Sequence, residues 1–350
     1  GGLTGLVNGV LRHLVREPES WRSGPQAGPV EDAAALAAAE SHPEWMVDRW
    51  VGRWGLDAAA RVCRANNKPG PLAVRVNGCR ATPQTLSEAL RGAGVEVTPG
   101  ALSAEVLLLR GGPPVRELPG FREGWFAVQD EAAALMAHLM GVRPGERIWD
   151  ACAGPGGKSV HLAELMEDEG LILATDTHVR RLSRVAENAG RMGLRSVCPV
   201  RADATGGGVR DGIFDAVLVD APCSGLGVLR RHPEAKWNKA EGDILRLGQL
   251  ERALLRGASR GVRPGGRLLY CVCSNEEEET WEVVRSFEAS AEGAGFQRDP
   301  LSDQVTDRIA SARRFVDPDG CFSIRPGDGG TDGFFAARWR RKPPAGRRSE

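Results

Sequence analysis

At 350 residues and 41% hydrophobic content the chain can bury a substantial core, so it is globular with room for two domains. Lysine plus arginine and aspartate plus glutamate both number 46, and this zero balance excludes a global nucleic-acid or membrane-surface signature, leaving any basic surface local. Eight cysteines without framework spacing or C-x-x-C, no apolar run of membrane-spanning length and no signal-peptide pattern predict reduced thiols in a cytoplasm.

The chain opens on GGLTGLVNGVLRHLVREP without an initiator methionine, which predicts a helix already under way and a piece of a longer protein. Leu3 to Arg16 has Leu6, Val10 and Leu14 at helical spacing, with Pro18 just beyond. Glu19 to Val30 is rich in Gly, Pro and Ser and reads as a linker. From Glu31 to about Gly124, helices (Pro43 to Trp54, Leu56 to Asn66, Thr82 to Gly92) alternate with short β-like runs (Leu72 to Val76, Ala104 to Leu109), which predicts a small α+β domain. GGPP at Gly111 is a loop, and a helix follows from about Asp130 to Met140. After Pro144 the alternation becomes regular. The strands are RIWDACA, LILATD, Val197 to Arg201, FDAVLVD and GRLLYCVC, and the helices are Lys158 to Met166, Val179 to Met192 and Ala240 to Ala258. Such a pattern predicts a parallel sheet covered on both faces, with ligands outside the carboxyl ends of its strands.

The chemically suggestive residues fall at those ends. DACAGPGGKS (Asp150 to Ser159) is a glycine-rich strand-to-helix turn that lets backbone N–H groups approach a ligand, although its spacing fits neither the Walker A loop nor GxGxxG. Asp176 lies where a carboxylate meets ribose hydroxyls, and an N-cap by Asp176 or Thr177 fits equally. Asp203 ends the third strand, where it could accept from an adenine amino group. DAPCSG makes a rigid turn that presents Asp220 and Cys223, the alternative for this cysteine being an inert buried thiol.

In LLYCVCSNEEEE, depth in the strand favours Cys273 as the exposed thiol and Cys271 as the packed one. Ser274 and Glu277 satisfy a capping box, which predicts a helix starting just after Cys273, with Glu276 to Glu279 solvated in its first turn. That helix start would favour a thiolate and the acidic run would oppose it. Arginines and lysines in RRHPEAKWNK, in Arg180 to Arg195 and in Arg338 to Lys342 are expected to supply phosphate contacts around one sheet edge, or else to be solvated faces.

DACAGPGGK, DAPCSGLGVLRRHPEAKW, YCVCS and GTDGFFAARW together resemble the RNA cytosine-5 methyltransferases that use S-adenosylmethionine, and most closely their bacterial 16S ribosomal RNA branch, RsmB. HPEWMVDRW, RANNKPGPLAVRVN and GWFAVQDEAA extend the similarity upstream to about Ser41. The resemblance implies an α/β fold: a Rossmann-like methyltransferase sheet over 125–345, preceded by a small α+β RNA-binding domain over 31–124. Residues 1–30 would be the remnant of a NusB-like helical domain plus its linker. Cys152, Ala153, Gly154, Pro155, Gly156, Gly157 and Lys158 would surround the methionine and ribose parts of the cofactor. Asp176 would bind the ribose, Asp203 would sit near the adenine and Asp220 would lie between cofactor and base. Cys273 would be the nucleophile and Cys223 would assist release, with Asp220 and Lys158 completing the catalytic set. No metal is implied; the partner would be RNA, with no membrane, and the protein a monomer. The chain departs from the family pattern at Gly154, where alanine is usual, and has Val272, Glu277 and Thr280 where Thr, Pro and Asn are usual. Other readings are a methyltransferase of tRNA or another RNA, one in which Cys223 is the nucleophile as on DNA, and an RNA-binding assembly factor without catalysis.

Overall fold

The computed structural model describes residues 2–17, 30–206 and 209–343. The linker expected over 19–30 lies, except for Val30, outside the described residues. A first compact unit ends at Cys63 and is helical. It contains α1 (Gly2–Arg16), α2 (Ala33–Ala39), α3 (Glu44–Trp54) and most of α4 (Leu56–Asn67). Leu6, Val7, Val10 and Leu11 of α1 are exposed, whereas Met46, Val47 and Trp50 bury one face of α3. Asp32 caps α2 by accepting from Ala35 N at 2.8 Å.

The second unit carries two sheets. In the smaller one β1 (Leu72–Val76) is followed by α5 (Pro83–Gly92), β2 (Glu96–Pro99), β3 (Val106–Arg110) and β4 (Phe126–Val128). Its strands are antiparallel in the order β2-β3-β1-β4. Thr82 caps α5 and Pro83 pre-sets its first turn, so Leu86 and Leu90 come down on Val74, Leu107 and Phe126. β2 and β4, four and three residues long, are too short to stand out as alternating runs.

The larger sheet begins after α6 (Glu131–Met140), which Asp130 caps. In chain order come β5 (Arg147–Asp150), α7 (Gly157–Leu165), β6 (Leu171–Asp176), α8 (Val179–Met192), β7 (Val197–Arg201), β8 (Phe214–Asp220) and α9 (Ala235–Asn238). Then follow α10 (Glu241–Ser259), β9 (Val262–Val272), α11 (Trp281–Glu288), β10 (Phe296–Arg298), β11 (Phe322–Ile324) and β12 (Phe334–Arg341). The strand order is β10-β12-β9-β8-β5-β6-β7, with β11 on β12. Side chains alternate between two cores: Ile148, Leu218 and Leu269 face α6 and α7, while Trp149, Val217, Leu268 and Tyr270 face α10 and α11. The order reverses between β5 and β8, which opens a crevice at their carboxyl ends.

Three expectations are corrected. The sheet is mixed, because β12 enters antiparallel to β9 and carries β10 and β11 with it. The register pairs Phe335 with Val272 and Arg340 with Arg267, so the arginines of 338–342 point away from the crevice. Arg338 is fully buried, ion-paired with Asp299 at 3.0 Å and donating to Leu139 O at 2.9 Å. No helix starts after Cys273 either: a short 3-10 turn covers Glu277–Glu279 and α11 begins only at Trp281. Ser274 is instead fully buried, as is Glu279, and Glu276 is nearly so.

Candidate active site

The crevice holds a cavity of about 540 Å³ bordered by the ends of β5, β6, β7, β8 and β9. That volume suits a nucleoside-sized ligand, within the roughly 300–1,000 Å³ of small-molecule sites. Of the residues singled out in the sequence, Cys152, Gly154, Lys158, Asp176, Asp203, Asp220, Cys223 and Cys273 line it. Ala153 is buried behind the turn, where its N–H donates to Thr175 O at 2.8 Å. Gly156 caps α7 at φ 103°, Gly157 is the first residue of that helix, and Pro155 follows Gly154 through a cis bond. These three do not border the cavity.

The turn is narrow at one point. A Cβ on Gly154 would sit 2.4 Å from Arg181 Cβ and 2.6 Å from Asp176 Oδ2, so in this chain a side chain here would have to displace α8 or the aspartate. Asp176 accepts from Gly154 N at 3.3 Å and from His178 N at 2.8 Å. A carboxylate has about four lone-pair sites, so two remain for a ligand's hydroxyls. Asp203 accepts from Thr205 N at 2.9 Å and Thr205 Oγ1 at 2.7 Å through one oxygen, Oδ1. Two carboxylates for hydroxyl and amino donors, beside a backbone turn without side-chain bulk, are a donor set that fits S-adenosylmethionine.

Towards the other end of the cavity the groups are reactive. Lys158 Nζ donates to Asp220 Oδ2 at 2.7 Å and lies 5.2 Å from the ring centre of Phe334. Burial works against the lysine's charge, but the adjacent Asp220 outweighs it and lifts the pKa above its ordinary value. Cys271, buried as expected, donates to Asp220 Oδ1 at 3.4 Å, and burial followed by the Asp220 charge keeps it a thiol. Asp150 is fully buried below, accepting from Ser159 Oγ at 2.6 Å, and burial raises it to about 7.

Cys223 Sγ and Cys273 Sγ stand 3.3 Å apart, with all eight cysteines free. The contact with Cys273, then burial, then the charges of Cys273, Glu279 and Glu251 push Cys223 well above the usual thiol range. At neutral pH Cys223 therefore holds its proton as S–H. Gly227 makes the close packing possible: its N–H donates to Cys273 O at 3.0 Å and its carbonyl accepts from Gly333 N at 2.7 Å. A Cβ there would fall 2.4 Å from Gly333 O.

The basic run after DAPCSG is largely consumed internally. Arg230 and Arg231 both pair with Asp130 and Asp332, and Lys236 is buried and donates to Asn67 Oδ1 at 2.5 Å. The expectation that they contact phosphate is corrected accordingly. Trp237 next to them is 64% exposed, and in α8 Arg180, Arg181 and Arg184 remain exposed. Reading by motif missed Arg181, Thr205, Leu250 and Phe334 of the cavity wall. Only Phe334 had a signal, the GTDGFF run.

Residues 137–340 match the family described as 16S rRNA methyltransferase RsmB/F, and residues 42–116 match the ferredoxin-like domain of RsmF/B-like methyltransferases. The chain is 36% identical over 346 residues to the probable ribosomal RNA small subunit methyltransferase B of Bacillus subtilis, covering 97% of this chain and 74% of that one. Against ribosomal RNA small subunit methyltransferase B of Pseudomonas syringae pv. tomato it is 35% identical over 336 residues, covering 95% and 72%. The crystal structure of PH0851 superposes with a TM-score of 0.81 at 32% identity, over 91% of this chain and 70% of the other.

Proposed function

Because the chain belongs to the RsmB/F family of 16S ribosomal RNA methyltransferases, we propose that it methylates carbon 5 of a cytosine in 16S ribosomal RNA through a covalent bond to Cys273. The cofactor is S-adenosylmethionine, which supplies an electrophilic methyl group. Cys152, Gly154, Lys158 and Asp176 are its methionine and ribose side and Asp203 its adenine side, with Ala153, Pro155, Gly156 and Gly157 shaping the turn that carries them. Residues 31–124 form the domain that binds RNA. The target base leaves its helix and enters the cavity, since its reacting edge is otherwise shielded by stacking.

The observation that carries this reading is the pair of sulfurs 3.3 Å apart in one cavity with Asp220 and Lys158. Carbon 5 of cytosine is a poor nucleophile until a thiolate adds to carbon 6, which turns the ring into an enamine. Cys273 Sγ makes that bond. Asp220, held by Lys158, shares a proton with ring nitrogen 3, and that proton offsets the negative charge that thiolate addition places on the ring. Release requires a proton to leave carbon 5, the ring double bond to re-form and the sulfur of Cys273 to depart. Cys223, which starts as S–H, assists by giving its proton to the departing sulfur and, as the thiolate so formed, taking the proton that leaves carbon 5.

A denaturing gel with labelled 16S RNA tests the assignment. Cys273→Ala should abolish methylation and any covalent adduct, whereas Cys223→Ala should accumulate an adduct that survives denaturation. Cys271→Ala should keep turnover and lose on the order of 1 kcal/mol of stability. An adduct with Cys273→Ala but none with Cys223→Ala would reverse the two roles.

A further inference from the structure

Glu279 is fully buried in the turn between Cys273 and α11, and both of its carboxylate oxygens are occupied. Oε1 accepts from Ser224 N at 2.6 Å, and Oε2 accepts from Ser224 Oγ and from Ser274 Oγ, each at 2.5 Å. Ser224 directly follows Cys223 and Ser274 directly follows Cys273, so one carboxylate ties together the residues that adjoin the two thiols. The tie is itself anchored. Tyr270 Oη donates to Glu279 O at 2.5 Å and meets Glu251 Oε2 at 3.1 Å, and Ser274 Oγ accepts from Glu276 N at 3.1 Å.

Packing alone does not explain a carboxylate here. Burying a charge is costly, and an apolar side chain of similar volume would fill the space more cheaply. The placement also works against the chemistry nearby, since negative charge at Glu279 disfavours a thiolate at Cys223. What a carboxylate offers that an apolar group cannot is simultaneous acceptance from a backbone N–H and two hydroxyls on separate strand ends. Under the two-thiol reading given above, the sulfurs must address neighbouring carbons of one ring, so their separation matters.

We propose that Glu279 is a positioning residue that fixes the separation of Cys223 and Cys273 by clamping the serines that follow them. The inference rests on the proposed function for its catalytic meaning, but the spacing can be read without it. Diamide, an azo oxidant, takes one hydrogen from each of two thiols to become a hydrazine while the sulfurs bond, at a rate set by their proximity. Formation of the Cys223–Cys273 disulfide, mapped by mass spectrometry, should slow by about tenfold or more in Glu279→Ala. Glu279→Gln should stay close to the parent rate, because its amide oxygen accepts from Ser224 N and its N–H can donate to a rotated serine hydroxyl. Methylation of 16S RNA should follow the same order, with kcat lowered by about tenfold in Glu279→Ala and rescued in Glu279→Gln. KM for RNA and S-adenosylmethionine affinity by calorimetry should not change.

A Glu279→Ala protein that binds the cofactor normally and also oxidises and methylates at parent rates would overturn the clamp. So would equal loss in Ala and Gln with disulfide formation intact, which would assign the effect to charge. If Glu279→Ala does not fold, Ser274→Ala removes one arm alone and must itself slow disulfide formation. Rapid disulfide formation in a parent protein that leaves 16S RNA unmethylated would count against the proposed function and leave the clamp standing.

Discussion

Asp220 meets Lys158 through one carboxylate oxygen and Cys271 through the other, and this leaves a balanced ion pair beside the two thiols. A second carboxylate of like sign beneath it is tolerated only because Asp150 is protonated over most of the acid range. Burial, opposed by the bond from Ser159 and reinforced by Asp220, raises Asp150 to about 7. In the unfolded chain an aspartate titrates near 3.9. Between those values the native state holds a proton that the unfolded state has lost, so this contribution to stability is full below about pH 4 and disappears as pH rises to about 7. Asp150→Asn should flatten the fall of melting temperature over that window, measured by calorimetry in a pH series. Equal slopes in the two proteins would mean that Asp150 is already ionised in the native state.

Between elements, the four charges of Arg230, Arg231, Asp130 and Asp332 join three segments: the loop after β8, the cap of α6 and the entry to β12. Asp332 is 1% exposed and binds both guanidinium groups. Asp332→Ala should cost about 1–3 kcal/mol in urea denaturation, because it leaves two guanidinium groups to share Asp130. A loss below 1 kcal/mol would show that Asp130 alone suffices. This network also explains what could be read from sequence and what could not. The β-α alternation from β5 to β9 was legible because each apolar run has the length and spacing of a buried parallel strand. The cavity residues at the strand ends followed from that frame. RRHPEAK read as a free basic surface because its partners lie about 100 residues away in both directions, at Asp130 and Asp332. The S-x-x-E pattern after Cys273 failed because Ser274 donates to Glu279, which Ser224 of the neighbouring strand end also engages, while Glu277 stays exposed beside Arg285. β10 to β12 were missed as strands because β10 and β11 are each three residues long and β12 carries a charged residue, Arg338, inward.

Over the whole second unit, the small sheet is tied to the large one by a buried ion pair. Arg75 of β1 pairs bidentately with Glu164 of α7 and donates to Gln129 Oε1 at 2.7 Å. Arg75→Met should cost about 3–5 kcal/mol by leaving Glu164 uncompensated, and adding Glu164→Leu should recover much of it, measured by urea unfolding. No recovery in the double variant would mean that the pair contributes net stability instead of registering the two sheets. The position of β12 has a further consequence, for the order of events during synthesis. Chains emerge from the ribosome N-terminal end first and fold as segments become available. β12 lies between β9 and β10, and its entry brings Phe334 to Lys158 and Gly333 to Gly227. The glycine turn, both thiols and Asp220 are therefore all translated before the strand that completes their surroundings. Assembly of the pocket waits for residue 341, so an interrupted polypeptide can contain every reactive side chain and still lack a working centre.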